Sequence, residues 1–117
     1  MKGNVVVISV KGWFPNQCGV EYIGRKCGDW KGSVLGNPFP LGLDKNRDEV
    51  IRKYKMWLWE QFQMEGNPVR LEVLRLMNRV LNGEILVLGC WCHPLQCHCD
   101  VVKSLIWYLI DLESWGR

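Results

Sequence analysis

The apolar positions of this chain change period along its length, and each change predicts an element. Residues 4–10 form an apolar, β-branched run of strand length. Gly12-Trp13-Phe14-Pro15-Asn16-Gln17-Cys18-Gly19 breaks it. Residues 20–23 alternate and read as a second strand, closed by Gly24-Arg25. Val50, Ile51, Tyr54, Trp57, Leu58 and Phe62 then recur at helical spacing behind Asn46, which has Glu49 three residues on as in a capping box. That helix ends near Glu65-Gly66. Asn67-Pro68 opens a second helix, with Pro at its first position and an apolar stripe of Leu71, Leu74, Met77, Val80 and Leu81, stopped by Gly83. Residues 84–89 predict a third strand. A last helix starts at Cys97 or His98 and buries Val101, Val102, Leu105, Ile106, Leu109 and Leu112. The order β-β-α-α-β-α describes a small single α/β domain spanning residues 1–117, with a short, mainly parallel sheet and packed helices. The helical region between the second and third strands suits a right-handed parallel crossover.

Residues 26–43 have no regular period. Gly28, Gly32, Gly36 and Gly42 and Pro38 and Pro40 break them up, while Trp30, Leu35, Phe39 and Leu41 are too apolar for a free linker. A loop of this length in a small domain is usually functional or disordered. Its composition predicts an ordered loop folded over the end of the sheet, with Asn37-Pro38-Phe39-Pro40 extended because residues before proline avoid the helical region.

Composition narrows the classes. At 117 residues, 48% hydrophobic and 23% charged, the chain is an ordinary globular domain, and its seven Trp are first of all packing residues. A net charge of +3 permits phosphate or nucleic-acid binding, but the basic residues are scattered and form no stripe; the densest run, residues 47–55, reads as a solvated helix face. No apolar run approaches the roughly 18 residues a membrane span needs, and no signal peptide is visible. The expected setting is a reducing cytoplasm without membrane partners, where clustered cysteines are metal ligands or reactive thiols more often than disulfides.

Chemistry concentrates in Gly89-Cys90-Trp91-Cys92-His93-Pro94-Leu95-Gln96-Cys97-His98-Cys99-Asp100, at the junction of the third strand and the last helix. Ligands of open α/β sheets bind where strands end and helices begin. Three chemistries fit the stretch. Cys90, Cys92, Cys97 and His98 are candidate ligands for zinc. In a helix Cys97 and Cys99 point about 200° apart, so only one of them is expected to face Cys90. Alternatively Cys97, at a helix start beside His98 and Asp100, is a candidate reactive thiol, and the three are the candidate catalytic residues. Third, the loop and helix start offer N–H groups to an anion, with His98 and Asp100 lining the pocket. Arg25 at a strand end is a candidate phosphate partner or else a surface charge. Asn37 is a candidate amide or base-edge reader or else a turn former.

Several motifs together resemble a known family: Tyr22-Ile23-Gly24-Arg25, Leu35-Gly36-Asn37-Pro38-Phe39, Asn46-Arg47-Asp48-Glu49-Val50-Ile51 with Tyr54 and Trp57-Leu58, and the stretch 89–100. Over about residues 20–105 the chain is similar to the bacterial and phage family called domain of unknown function 4326. The resemblance implies that Asn37, Pro38, Phe39, Cys92, Pro94, Cys97, His98 and Asp100 occupy motif positions. Cys99 stands where the family has a small residue. It implies no established reaction, and the phage-like setting of its members points toward nucleotide or nucleic-acid metabolism. The expected function is therefore binding of an anionic small molecule related to nucleotides or nucleic acid, by Arg25, Asn37, Phe39, Cys92, His98 and Asp100, with or without catalysis. Its rival is a non-catalytic, zinc-stabilised structural or interaction module. For the pocket, the expectation is that Asn37 and His98 open onto one cavity.

Overall fold

The computed structural model describes residues 2–12, 19–39, 47–91 and 97–115. Cys92, the expected cap Asn46 and the loop segment 40–43 lie outside the described residues. The elements run β1 (Asn4–Ser9), β2 (Val20–Tyr22), α1 (Arg47–Phe62), α2 (Pro68–Leu81), β3 (Ile85–Cys90) and α3 (His98–Trp115), the order expected from the pattern. The three strands pair in parallel, in the order β1-β3-β2.

The central strand is β3, the strand leading into the cysteine stretch. Its register puts Ser9 beside Cys90 and Tyr22 beside Gly89, so all three strands end at one edge. Two further ladder bonds, Val10 N–H to the Cys90 carbonyl at 2.9 Å and Ile23 N–H to the Gly89 carbonyl at 3.1 Å, carry the pairing to that edge. Gly89 is required there: a Cβ would lie 2.6 Å from Val10 Cγ1 and 3.0 Å from Val20 Cγ1. Helices α2 and α3 pack against the sheet and α1 packs against both of them, around one core that includes Val5, Leu86, Leu88, Tyr54, Val73 and Ile106.

Burial corrects two of the expected stripes. On α2 the buried residues are Val69, Val73, Leu76 and Val80, whereas Leu71 is 57% exposed. Leu74, Met77 and Leu81 flank that stripe and are half-buried. On α3 the centre of the face is Val102, Ile106 and Ile110, with Val101, Leu105 and Leu109 beside it, and Leu112 is 46% exposed. Both helices carry more apolar positions than one face holds, so the pattern leaves the phase of the stripe open. Strand β3 also runs one residue beyond the expected 84–89, to Cys90.

The ends of α2 follow from local chemistry. Asn67 Oδ1 accepts the Val69 N–H at 2.7 Å, and Pro68 fills the first position. At the other end Gly83, at φ 92°, donates to the Val80 carbonyl, and Glu84 donates to the Arg79 carbonyl, a Schellman closure. Glu21 on β2 pairs with Arg79 at 2.6 Å and with Arg75 at 3.2 Å, tying the edge strand to α2.

Candidate functional site at the carboxyl edge of the sheet

Residues 26–39 of the loop after β2 fold over the sheet edge, as their composition predicts. Trp30 is buried, 4.7 Å from the Tyr22 ring and 6.1 Å from the Trp91 ring. Trp91 Nε1 donates to the Tyr22 hydroxyl at 3.1 Å, and that hydroxyl donates to the Arg25 carbonyl at 2.5 Å. Gly36 lets the loop pass the strand end: a Cβ there would sit 3.1 Å from the Gly24 carbonyl oxygen. Tyr54 of α1 donates to the Leu35 carbonyl at 2.6 Å, and burial raises the pKa of its hydroxyl far above the ordinary value.

The loop, the strand ends and the starts of α1 and α3 border a half-open cavity of about 420 Å³, within the range of small-molecule sites. Arg25, Lys26 and Arg47 line it with Tyr22, Phe39 and Trp91, and Asn37 and His98 open onto the same space. Among the described residues lining it there is no Asp or Glu. Three cationic residues thus share one lining, Arg47 among them as the first residue of α1. Asn37 Oδ1 accepts the Phe39 N–H at 2.8 Å, the turn-forming role, which leaves its Nδ2 hydrogens as donors. The sequence pattern does not single out Lys26, Arg47, Tyr22 or Trp91 as site residues. The available signal for Arg47 is its position directly after Asn46, at a helix start rather than mid-face.

His98 is 7% exposed, and its Nε2 lies 2.6 Å from the Ile23 carbonyl oxygen. A carbonyl only accepts, so Nε2 carries the proton. Burial lowers the pKa of the ring, the Ile23 carbonyl opposing, which favours a neutral imidazole with Nδ1 as its basic nitrogen. The Tyr54 ring meets it edge-on at 5.2 Å. Asp100 does not line this cavity. Its Oδ2 accepts the Cys97 N–H at 3.1 Å, and the residue borders a separate groove between α1 and α3.

The start of α3 is closed in a way the residue spacing does not predict. Cys97 precedes the first helical residue, and its Sγ accepts the Cys99 N–H at 3.3 Å. With Asp100 reaching back to the Cys97 N–H, the pair acts as a capping box with sulfur in place of a hydroxyl. Two consequences correct the expectations. The Cys97 and Cys99 N–H groups are already taken, so they are not the anion donors expected of this turn. Because Cys97 lies outside the helix, the 200° argument does not apply, and both sulfurs face Cys90. Cys90, Cys97 and Cys99 are all buried, with their sulfurs within 4.8 Å of one another. Cys90 Sγ and Cys97 Sγ are 2.9 Å apart. His98, expected as a fourth ligand, is not in this cluster among the described residues; Cys99 is. The nearby Cys90 sulfur pushes the Cys97 thiol up to about 12 and raises Cys99 as well, so neither has the low pKa of a reactive thiolate.

No helix among the described residues is long and apolar enough to cross a membrane. The family described as Domain of unknown function (DUF4326) matches residues 7–107. No curated protein and no solved structure matches the chain.

Proposed function

The chain belongs to the DUF4326 family, whose members have no assigned reaction, and from the chemistry of the cavity we propose that it binds a small anion of the nucleoside-phosphate class. One observation carries this reading: Arg25, Lys26 and Arg47 line one cavity that has no carboxylate among its described residues. Phosphate is the anion that such a cluster suits best, since guanidinium groups can engage it bidentately. Tyr22, Phe39 and Trp91 supply aromatic surface for a base, and the Asn37 amide supplies donors for its edge. As part of the same reading, the unbridged thiols suit a reducing cytoplasm. Of the three candidate catalytic residues, His98 alone combines a place on the cavity with a basic nitrogen. Cys97 holds its proton and Asp100 serves the helix start.

Calorimetric titration with nucleoside monophosphates, nucleoside diphosphates and inorganic phosphate tests the proposal. A nucleotide is expected to bind more tightly than its nucleoside, and more weakly as salt is raised. A hydrogen bond to a charged group is worth about 1.5–3 kcal/mol, so Arg25→Ala and Arg47→Ala should each weaken binding by roughly 10- to 100-fold. Trp59→Ala, in the separate α1–α3 groove, should leave it unchanged. Equal binding of nucleoside and nucleotide, or none at millimolar concentration, overturns the reading. Tighter binding of a single-stranded oligonucleotide than of any mononucleotide moves it to nucleic acid.

A further inference from the structure

We propose that Cys90, Cys97 and Cys99 form a thiolate site for one soft d10 metal ion, Zn²⁺ or Cu⁺. The inference does not depend on what the neighbouring cavity binds.

The geometry is close to that of a loaded site. Tetrahedral zinc–thiolate bonds of about 2.3 Å place sulfurs roughly 3.8 Å apart, and trigonal copper–thiolate spacing is similar. Here the three sulfurs lie within 4.8 Å of one another, with Cys90 Sγ and Cys97 Sγ 2.9 Å apart. Shifts of about 1 Å or less in side-chain position bring them to coordinating distance. The three stand on or next to regular elements: Cys90 ends the central strand, and Cys97 and Cys99 flank the first residue of α3.

The donor set selects the metal class. Three buried thiols with no carboxylate among them favour soft, thiophilic ions over Mg²⁺ or Ca²⁺. The surroundings suit the charge that loading creates. Metal entry releases three protons and leaves three thiolates around one cation, a net charge of −1 with Zn²⁺ or −2 with Cu⁺. The Cys99 N–H already points at the Cys97 sulfur, as outer-shell donors do in metal–thiolate sites. The start of α3 adds its positive end, and Arg25, Lys26 and Arg47 line the cavity that Cys90 and Cys97 border.

The test uses the full chain, purified under reducing conditions. Elemental analysis is expected to find one zinc or copper per chain, or one bound on titration of the stripped protein. Competition against a chromophoric chelator, run separately with Zn²⁺ and Cu⁺, identifies which ion is preferred. Co²⁺ substitution should give an intense sulfur-to-metal charge-transfer band. Cys90→Ser, Cys97→Ser and Cys99→Ser should each weaken metal binding roughly tenfold or more. Cys27→Ser, at an exposed thiol, should not. Alkylation of the unaltered protein, mapped by mass spectrometry, covers variants that fail to fold. Metal should protect Cys90, Cys97 and Cys99 and leave Cys27 reactive. No binding by the reduced chain in tenfold metal excess overturns the proposal. So does metal that leaves the three thiols as reactive as Cys27, or a Cys90–Cys97 disulfide in place of protection. Phosphate and nucleotide titrations on the metal-stripped protein keep failure of this site distinct from failure of the anion cavity.

Discussion

Helix α2 opens on Asn67 and helix α3 opens on Cys97. The first start is held by near neighbours in the chain: Asn67 Oδ1 takes the Val69 N–H, and its Nδ2 donates to Gln61, six residues back at the end of α1, at 2.9 Å. The second uses a weaker acceptor, a sulfur, and is held from outside. His98 reaches the Ile23 carbonyl just past the end of β2, Tyr54 of α1 packs on the His98 ring, and Asp100 closes the turn. At α3 the capping atom is also one of three clustered thiols, and the adjacent imidazole opens onto the cavity, so the same turn gathers the candidate functional groups and is braced by tertiary contacts.

Substitutions can break this comparison, beginning with the largest effect. His98→Ala removes the buried partner of the Ile23 carbonyl and leaves space beside Tyr54. Urea denaturation should show a loss of about 3 kcal/mol, and amide exchange at the start of α3 should rise. A loss below about 0.5 kcal/mol, the range of ordinary surface changes, means the turn stands on its own cap. Next is Tyr54→Phe, which keeps the ring and strands the Leu35 carbonyl. The expected cost is about 2 kcal/mol, read from the thermal midpoint, and a neutral result would detach the loop from α1. Asn67→Ala should cost about 1 kcal/mol and leave ligand titrations of the cavity unchanged; altered affinity would show that the α2 start is not merely structural. Smallest is Glu21→Gln, at the partly exposed pairs with Arg75 and Arg79. It should cost about 0.5 kcal/mol, and the difference from the unaltered chain should vanish at high salt.

The same contrast separates what is legible in the sequence from what is not. Local signals read well. Asn67-Pro68, Gly83 and the apolar run into Cys90 mark α2 and β3, because caps, C-terminal glycines and buried strands are set by near neighbours. The ordered loop is legible from Trp30, Leu35 and Phe39, which have no reason to stay in water. Leu71 misleads because α2 has apolar residues on more than one face, and only packing against β3 and α3 selects Val73 and Leu76. Arg47 reads as one member of a basic run, and only its place at the start of α1 sets it apart from its solvated neighbours Arg52 and Lys55.

By itself the sequence determined the element order, the parallel crossover and the edge at which chemistry gathers, since hydrophobic period, turn residues and strand–helix junctions are short-range properties of the chain. Tertiary structure decided which side chains share that edge. It set Cys97 outside the helix so that three thiols converge, turned Asp100 to a backbone N–H, anchored His98 on Ile23, and gathered Arg25, Lys26 and Arg47 around one cavity. The physical reason is that a side chain's direction at a helix start depends on one or two backbone dihedrals. Those dihedrals are chosen by contacts with strands and loops tens of residues away, not by the spacing of the cysteines.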